Sequence, residues 1–449
     1  MTLPLRHAAA LTLVAALAFL SGTAAASRSA LPAPLTNIRP LATGVTDPVE
    51  FASKGANAAL ARTRSAGATY ARLTLDWRSV APPNRPDRFK PSDPDDPAYH
   101  WDAFDAEVKR AAAFGLDPIV TLTNAPAWGK RRDGLADPRQ FAAFAAAAAK
   151  RYDGSVRYWQ AWNEPNHPGR PQLKPVVAGW YRELVNRFTA AVHAVNRRND
   201  AIAGGCSPFT TSTAVGPLHF MRQLFAAPVH LDIWSHHPYT SGGPTHHANG
   251  NDDVSLGDLP EMWRLLQREI RRGHAVSPRR IRFWVTEFSW DTNPPDPAAV
   301  PIGLQSRWTA EALYRMWAAG VDTVVWFRIR DEPLRTSFYQ SGLYFSSWKP
   351  KRTLYAFRFP FVAFAENGRV FVWGRLPAGR PGAVVVEQRA GGGWRRLGTL
   401  RSDRYGIFSQ LYSTSAEGPL RARAVGRSDA SLPFSLQVPP DHFYPPFGS

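Results

Sequence analysis

Two periodicities alternate along most of the chain. Short apolar runs are each followed by a longer stretch in which apolar residues recur every three or four positions. The runs are Leu41–Val45, Tyr70–Trp77, Pro118–Leu122, Val156–Trp162, Ala201–Gly204, Leu231–Ser235, Ile281–Thr286 and Val321–Phe327. They read as strands, and the stretches between them as helices. In one such stretch Asp137-Pro138 supplies an N-cap and a proline at the first helical position, with Gln140 completing a capping box. Phe141, Phe144, Ala145, Ala148 and Tyr152 then share a face, and a longer helix places Val177, Tyr181, Leu184, Phe188, Ala191 and Val195 on another. Eight strand–helix units between residues 36 and 365 predict a (β/α)8 TIM barrel of the α/β class. A doubly wound sheet is the alternative, but no Gly-rich phosphate loop follows the first strand.

The pattern changes after Ala365. Helical spacing gives way to short alternating segments: Arg369–Arg375, Ala383–Arg389, Trp394–Leu400, Gly406–Tyr412, Leu420–Val425 and Phe434–Val438, with Gly391-Gly392-Gly393 as a hairpin tip. Residues 367–440 are therefore expected to form a small all-β sandwich domain. No internal repeat is visible.

The first residues bear on compartment. Arg6 and His7 precede an apolar run from Ala8 to Leu20, and Ala24-Ala25-Ala26 offers a small-residue cleavage site before Ser27. Residues 1–26 read as a secretory signal peptide, too short in its apolar run for a membrane span, so the mature protein is expected to be secreted with no transmembrane segment. The lone cysteine, Cys206, excludes an intramolecular disulfide and reads as a buried apolar residue.

Charge adds one question. Fifty-four Lys+Arg against 36 Asp+Glu give +18. From residue 367 onward 11 basic and 5 acidic residues contribute +6 of it. No nucleic-acid-binding motif accompanies the charge, so no nucleic acid partner is expected. An anionic envelope or wall glycan, held through the basic C-terminal domain, is the partner the charge suggests.

Barrel enzymes carry their chemistry where strands end. The fourth strand ends in Trp162-Asn163-Glu164-Pro165-Asn166 and the seventh in Thr286-Glu287-Phe288. Each puts a carboxylate directly after an apolar run, and strands four and seven face each other across a barrel mouth. Two facing carboxylates are what glycosidic bond cleavage needs: one protonates the leaving oxygen, the other attacks the anomeric carbon.

These two motifs together resemble clan A of the glycoside hydrolases, the retaining barrel enzymes. The five-residue form Trp162–Asn166 is most similar to family 39, which includes β-xylosidases, α-L-iduronidases and bacterial exopolysaccharide hydrolases; family 5 cellulases share the Asn-Glu-Pro core less closely. The resemblance spans the barrel and not the C-terminal domain. It implies Glu164 as general acid/base, Glu287 as nucleophile and Asn163 as partner of the sugar hydroxyl beside the anomeric carbon. It further implies Arg72 as the cation that keeps Glu287 ionised. His237 and Tyr239 match the clan's His-x-Tyr element, with His236 as the other possible register and the Tyr hydroxyl toward the nucleophile. Trp326 on the eighth strand would be a sugar-stacking platform.

Plainer readings stand beside these. Arg72 could be a structural ion-pair partner, His237 and Tyr239 loop packing, and Trp326 barrel core. The histidine-rich stretch His236-His237, His246-His247 and Asp252-Asp253 invites a metal reading, which adjacent residues pointing apart on a strand disfavour. Pro-rich loops at 81–98 and 293–297 are expected to rim the catalytic face. The function implied is a secreted retaining hydrolase of a β-linked, or geometrically equivalent α-L-linked, oligo- or polysaccharide, with no metal or organic cofactor. A carbohydrate-binding surface protein on the same scaffold, without catalysis, is the alternative. The C-terminal domain supplies neither of the two candidate carboxylates and is expected to be dispensable for chemistry.

Overall fold

In the computed structural model the described residues are 39–439, apart from positions 336, 338, 415 and 416; the expected signal peptide lies outside them. Eight parallel strands close into a barrel: β1 (Ala42–Thr46), β2 (Tyr70–Asp76), β3 (Asp117–Thr123), β4 (Tyr158–Ala161), β5 (Asp200–Cys206), β6 (Ile233–His236), β7 (Arg282–Phe288) and β8 (Thr323–Phe327). Each neighbours the next in chain order, and β1 pairs with β8 to complete the ring. Helices follow the strands: α1 (Ala56–Ser65), α2 (Asp102–Ala113), α3 (Pro138–Arg151), α4 (Val177–Val195), α5 (Pro217–Leu224), α6 (Leu259–Arg271), α7 (Ile302–Ala318) and α8 (Arg352–Arg358). Asp137 caps α3 by accepting from the N–H groups of Arg139 and Gln140. The capping box is not closed, because the Gln140 side chain accepts from Arg85 instead.

The inward positions of the strands change character along their length. At the entry end Tyr70, Ile119, Tyr158, Ile202, Ile233, Trp284 and Val325 meet in one apolar layer. The rings of Tyr70, Tyr158 and Trp284 lie within 5.2–5.6 Å of one another and plug the bottom of the barrel. Two residues further on, the side chains facing in are Arg72, Thr121 and Gln160, and they bond to one another. Period-2 alternation thus stacks a polar layer on an apolar floor. A polar layer inside a barrel is stable only if satisfied, and its partners are the residues of the site above it.

At Gly204-Gly205 the pairing of β5 with β6 slips by one residue. Both glycines have positive φ, 89° and 61°. A Cβ on Gly204 would sit 2.2 Å from the Ser235 carbonyl oxygen, and one on Gly205 would sit 2.5 Å from Gln160 Nε2. The bulge therefore requires glycine at both positions.

Beyond α8 the chain forms two three-stranded antiparallel sheets. Strands β9 (Phe361–Glu366), β10 (Arg369–Arg375) and β13 (Ile407–Tyr412) make one; β12 (Gly393–Arg401), β11 (Ala383–Ala390) and β14 (Leu420–Ala424) make the other. Phe361–Glu366 extends this all-β part a few residues upstream of position 367, pairing along its length with β10. Gly391 and Gly392, at φ 56° and 80°, form a two-residue turn between β11 and β12, the twist such hairpins need. Phe434–Val438 is not a strand. Phe434 makes a single bridge to Leu420, and the prolines at 433 and 439 stop it from propagating. The first sheet packs on α7 through aromatic rings: Trp373 lies 5.3 Å from Tyr314 and 5.5 Å from Trp317, and Phe364 lies 5.6 Å from Tyr314. Among the described residues no helix is long and apolar enough to cross a membrane.

Candidate active site

A cavity of about 650 Å³ opens where the barrel strands end. Glu164, just past β4, and Glu287, the penultimate residue of β7, both line it, with Arg72, Asn163 and Tyr239.

Glu287 is held from two sides. Arg72 Nη1 lies 3.0 Å from its Oε2, and the Tyr239 hydroxyl donates to its Oε1 at 2.8 Å. Arg72 is 3% exposed and uses the rest of its fork as well: Nη2 donates to Asn163 Oδ1 at 2.7 Å, and Nε to Thr121 Oγ1 at 2.9 Å. A guanidinium with every edge engaged fixes the orientation of its carboxylate partner. Burial, with the Glu287 charge beside it, pushes the Tyr239 hydroxyl far above its ordinary value, so the phenol keeps its proton and remains a donor.

Glu164 has different company. His237, fully buried, places Nδ1 3.2 Å from Glu164 Oε1, while its Nε2 lies 3.2 Å from Thr286 Oγ1. Burial alone would raise the Glu164 carboxyl; the hydrogen bond and charge of His237, with His167 and Arg72 further off, outweigh it and hold the group below its ordinary value. The backbone here is unusual. Trp162 and Glu164 have φ of 69° and 46°, the left-handed region, and the Glu164 N–H donates to the Gly205 carbonyl at 3.0 Å. Non-glycine residues in that region carry local strain, which surrounding bonds must hold in place. Asn166, the last residue of the motif, supplies one such anchor: it is buried and ties to Ser207 and Val215 on the loop after β5.

The two adjacent histidines point to different partners. His237 reaches Glu164, whereas His236 points away to the Val254 carbonyl at 2.8 Å. Burial drives His236 down to about 3, so it is a neutral packing residue. His247 pairs with Asp258 on the surface. Among the described residues no three His, Cys, Asp or Glu side chains are grouped to hold a metal ion.

Trp326 is a correction. It is 1% exposed, donates from Nε1 to the Ser341 carbonyl, and packs against Phe288 and Phe357. A ring with neither face open cannot stack on a sugar, and Trp326 is barrel core. The aromatic walls are instead Trp162, Phe209, Phe327 and Tyr339. Phe209 and Tyr339 sit on irregular loops after β5 and β8, where no periodicity marks them. Neither Pro-rich loop reaches the cavity wall. The first turns inward on its own aromatic cluster, with the Trp128 indole donating to the Pro82 carbonyl.

No family model and no curated protein sequence matches this chain. Solved structures do. A family 39 glycoside hydrolase from Bacteroides cellulosilyticus WH2 is similar with a TM-score of 0.53 at 17% identity, over 84% of this chain and 81% of that one. A monomeric β-xylosidase from Caulobacter crescentus CB15 is similar with a TM-score of 0.51 at 15% identity, over 84% and 94%. A family 39 enzyme from Xanthomonas axonopodis pv. citri matches with a TM-score of 0.51 at 14% identity, over 85% and 92%. The fold is that of the clan A barrel glycoside hydrolases.

Proposed function

We propose that the protein is a retaining glycoside hydrolase that cleaves O-glycosidic bonds by double displacement. The observation that carries this reading is the unequal support given to two carboxylates on one cavity. Glu287 is clamped by a cation and a phenol. A nucleophile needs to be held and aimed in that way. Glu164 is bonded to a ring nitrogen of His237 and, among the described residues, to no fixed cation. A group that must give and then take a proton is suited by such a neighbour. Asn163, oriented by Arg72, would bond the hydroxyl next to the anomeric carbon.

In the first step Glu164 gives its proton to the leaving oxygen as Glu287 bonds to the anomeric carbon. In the second, water attacks that carbon, Glu164 takes its proton, and the Glu287 ester bond breaks. Asn163 beside the acid/base fits a substrate with an equatorial hydroxyl at the second carbon, a β-glycoside or an α-L-glycoside of the same geometry. Export accompanies this reading, on the strength of Arg6-His7, Ala8–Leu20 and Ala24–Ala26. N-terminal sequencing of the mature protein, with Ser27 expected first, checks it.

The two glutamates should fail differently. Glu287→Gln should abolish turnover of every aryl glycoside. Glu164→Gln should keep the first step for a dinitrophenyl leaving group, accumulate the glycosyl-enzyme, and recover turnover with retained configuration when azide is added. The acid/base contribution is on the order of 10²–10⁴-fold, well within measurement. Azide rescue of Glu287→Gln instead would reverse the assignment, and full activity in either variant would sink the mechanism.

A further inference from the structure

A second cavity, of about 390 Å³, lies at the opposite end of the barrel from the carboxylates, between the entry ends of the strands and the C-terminal sheets. It falls within the size range of small-ligand sites, roughly 300–1,000 Å³. Its position follows from topology. Arg64 closes α1 just before β2 begins, and Arg358 closes α8 just before β9 begins, so both sit where helices return to the barrel floor.

The walls of this crevice are cationic. Arg64, Arg358, Arg380 and Arg427 face it with one carboxylate, Asp429. That carboxylate is already engaged by Arg358 at 2.7 Å. Among the described residues Arg64, Arg380 and Arg427 form no ion pair.

A second observation comes from behind the wall. The side chain of Arg375 is wholly buried, and its Nε and Nη1 have no hydrogen-bond partner among the described residues. It presses against the turn Pro377–Gly379, since a Cβ on Gly379 would stand 3.4 Å from Arg375 Nη2. Pro377 and Ala378 of that turn line the crevice. Burial lowers Arg375 only to about 10, so it is cationic at neutral pH. Arg375 thus stands as a buried cation behind the turn, while Arg64, which donates to the Ala68 carbonyl at 3.1 Å, and the exposed Arg380 and Arg427 keep their charge unneutralised at the crevice itself. The crevice is also preformed. A Cβ on Gly67 would meet the backbone nitrogen of Ala378 at 3.1 Å, so barrel and sheet touch at its floor with no gap to close.

We propose that this crevice is a second binding site, one that takes the oxyanions, carboxylate or phosphate, of an anionic glycan. Guanidinium forks match both groups bidentately. The proposal stands apart from the catalytic reading, because no residue of the crevice lines the cavity that holds Glu164 and Glu287.

The test uses the full-length chain and measures binding of labelled polygalacturonate at low ionic strength. Arg380→Gln/Arg427→Gln is compared with Arg395→Gln/Arg396→Gln, which removes the same charge from the same domain outside the crevice. Loss of two charge-assisted contacts should weaken binding about tenfold or more in the first pair and no more than about threefold in the second. Equal weakening in both pairs, or equal binding of neutral dextran, overturns the site. Inorganic phosphate is the free-ion arm: if it binds in a crevice-dependent way and the polymer does not, the glycan assignment is wrong. The readout is binding, so its failure leaves the catalytic reading untouched. An inactive chain that still binds the polymer leaves the crevice standing.

Discussion

At Glu164 one neighbour decides the direction in which a proton leans. Burial favours the neutral acid, and the His237 hydrogen bond favours the anion strongly enough to win. Replacing His237 by Phe keeps the ring volume and removes the bond. The carboxyl should then hold its proton to higher pH, so the basic limb of kcat/KM, where the acid catalyst is lost, should move upward. A pH–rate profile on an aryl glycoside reads this directly. A downward shift, or none, would mean that His237 does not act on Glu164. Residues of this kind were partly legible in the sequence. Glu164, Glu287 and Arg72 are charges adjoining or within apolar strands, which an ordinary core excludes, and such placements announce themselves. Trp326 is as apolar as its neighbours, so nothing in its context separates a platform from a packed ring. Phe209 and Tyr339 are aromatic residues in loops, and their meaning depends on where the loop folds.

Elements carry the site as much as residues do. The eight strands and the long helices stand within a few residues of where the periodicity puts them, because each must show one face to a core. The Gly204-Gly205 bulge escaped that logic. It is a local break in pairing whose purpose lies on other strands: it gives Gln160 and His237 room and offers Glu164 a backbone acceptor. Gly205→Ala should therefore act at a distance. Its methyl would push Gln160 off Arg72, at an overpacking cost of about 1–3 kcal/mol. Denaturant melts should show that loss, and kcat should fall more than the fraction of unfolded enzyme explains. Unchanged kcat would show that the polar layer does not orient Arg72. Strand β9 was hidden for another reason: only Phe359 and Pro360 separate Phe361–Glu366 from α8, and with apolar residues on both sides the periodicity does not show where helix gives way to strand.

On the scale of the whole molecule, barrel and sheets share a core. Trp373 is fully buried between β10 and α7, so the C-terminal part is packed into the structure and not merely tethered. Trp373→Ala should cost about 3–5 kcal/mol of stability while turnover per folded molecule is preserved, as melts and active-site titration would show. A cut after residue 366 would separate β9 from β10 and bare Tyr314 and Trp317. The truncated barrel should aggregate or melt early even though it keeps both carboxylates. A soluble truncated barrel of normal melting temperature would refute that shared core.

The position of the arginine crevice sets a geometry for the whole protein. It lies at the barrel floor and the carboxylates lie at the mouth, separated by the length of strands such as β2, seven residues at roughly 3.3 Å each, about 20 Å. If both proposals hold, the stretch of polymer gripped at the floor is not the stretch that would be cut at the mouth. The molecule would stand on one strand with its opening turned outward and work on the next. Anchorage of that kind concentrates the enzyme within a matrix without obliging it to slide along, or release, the chain it holds.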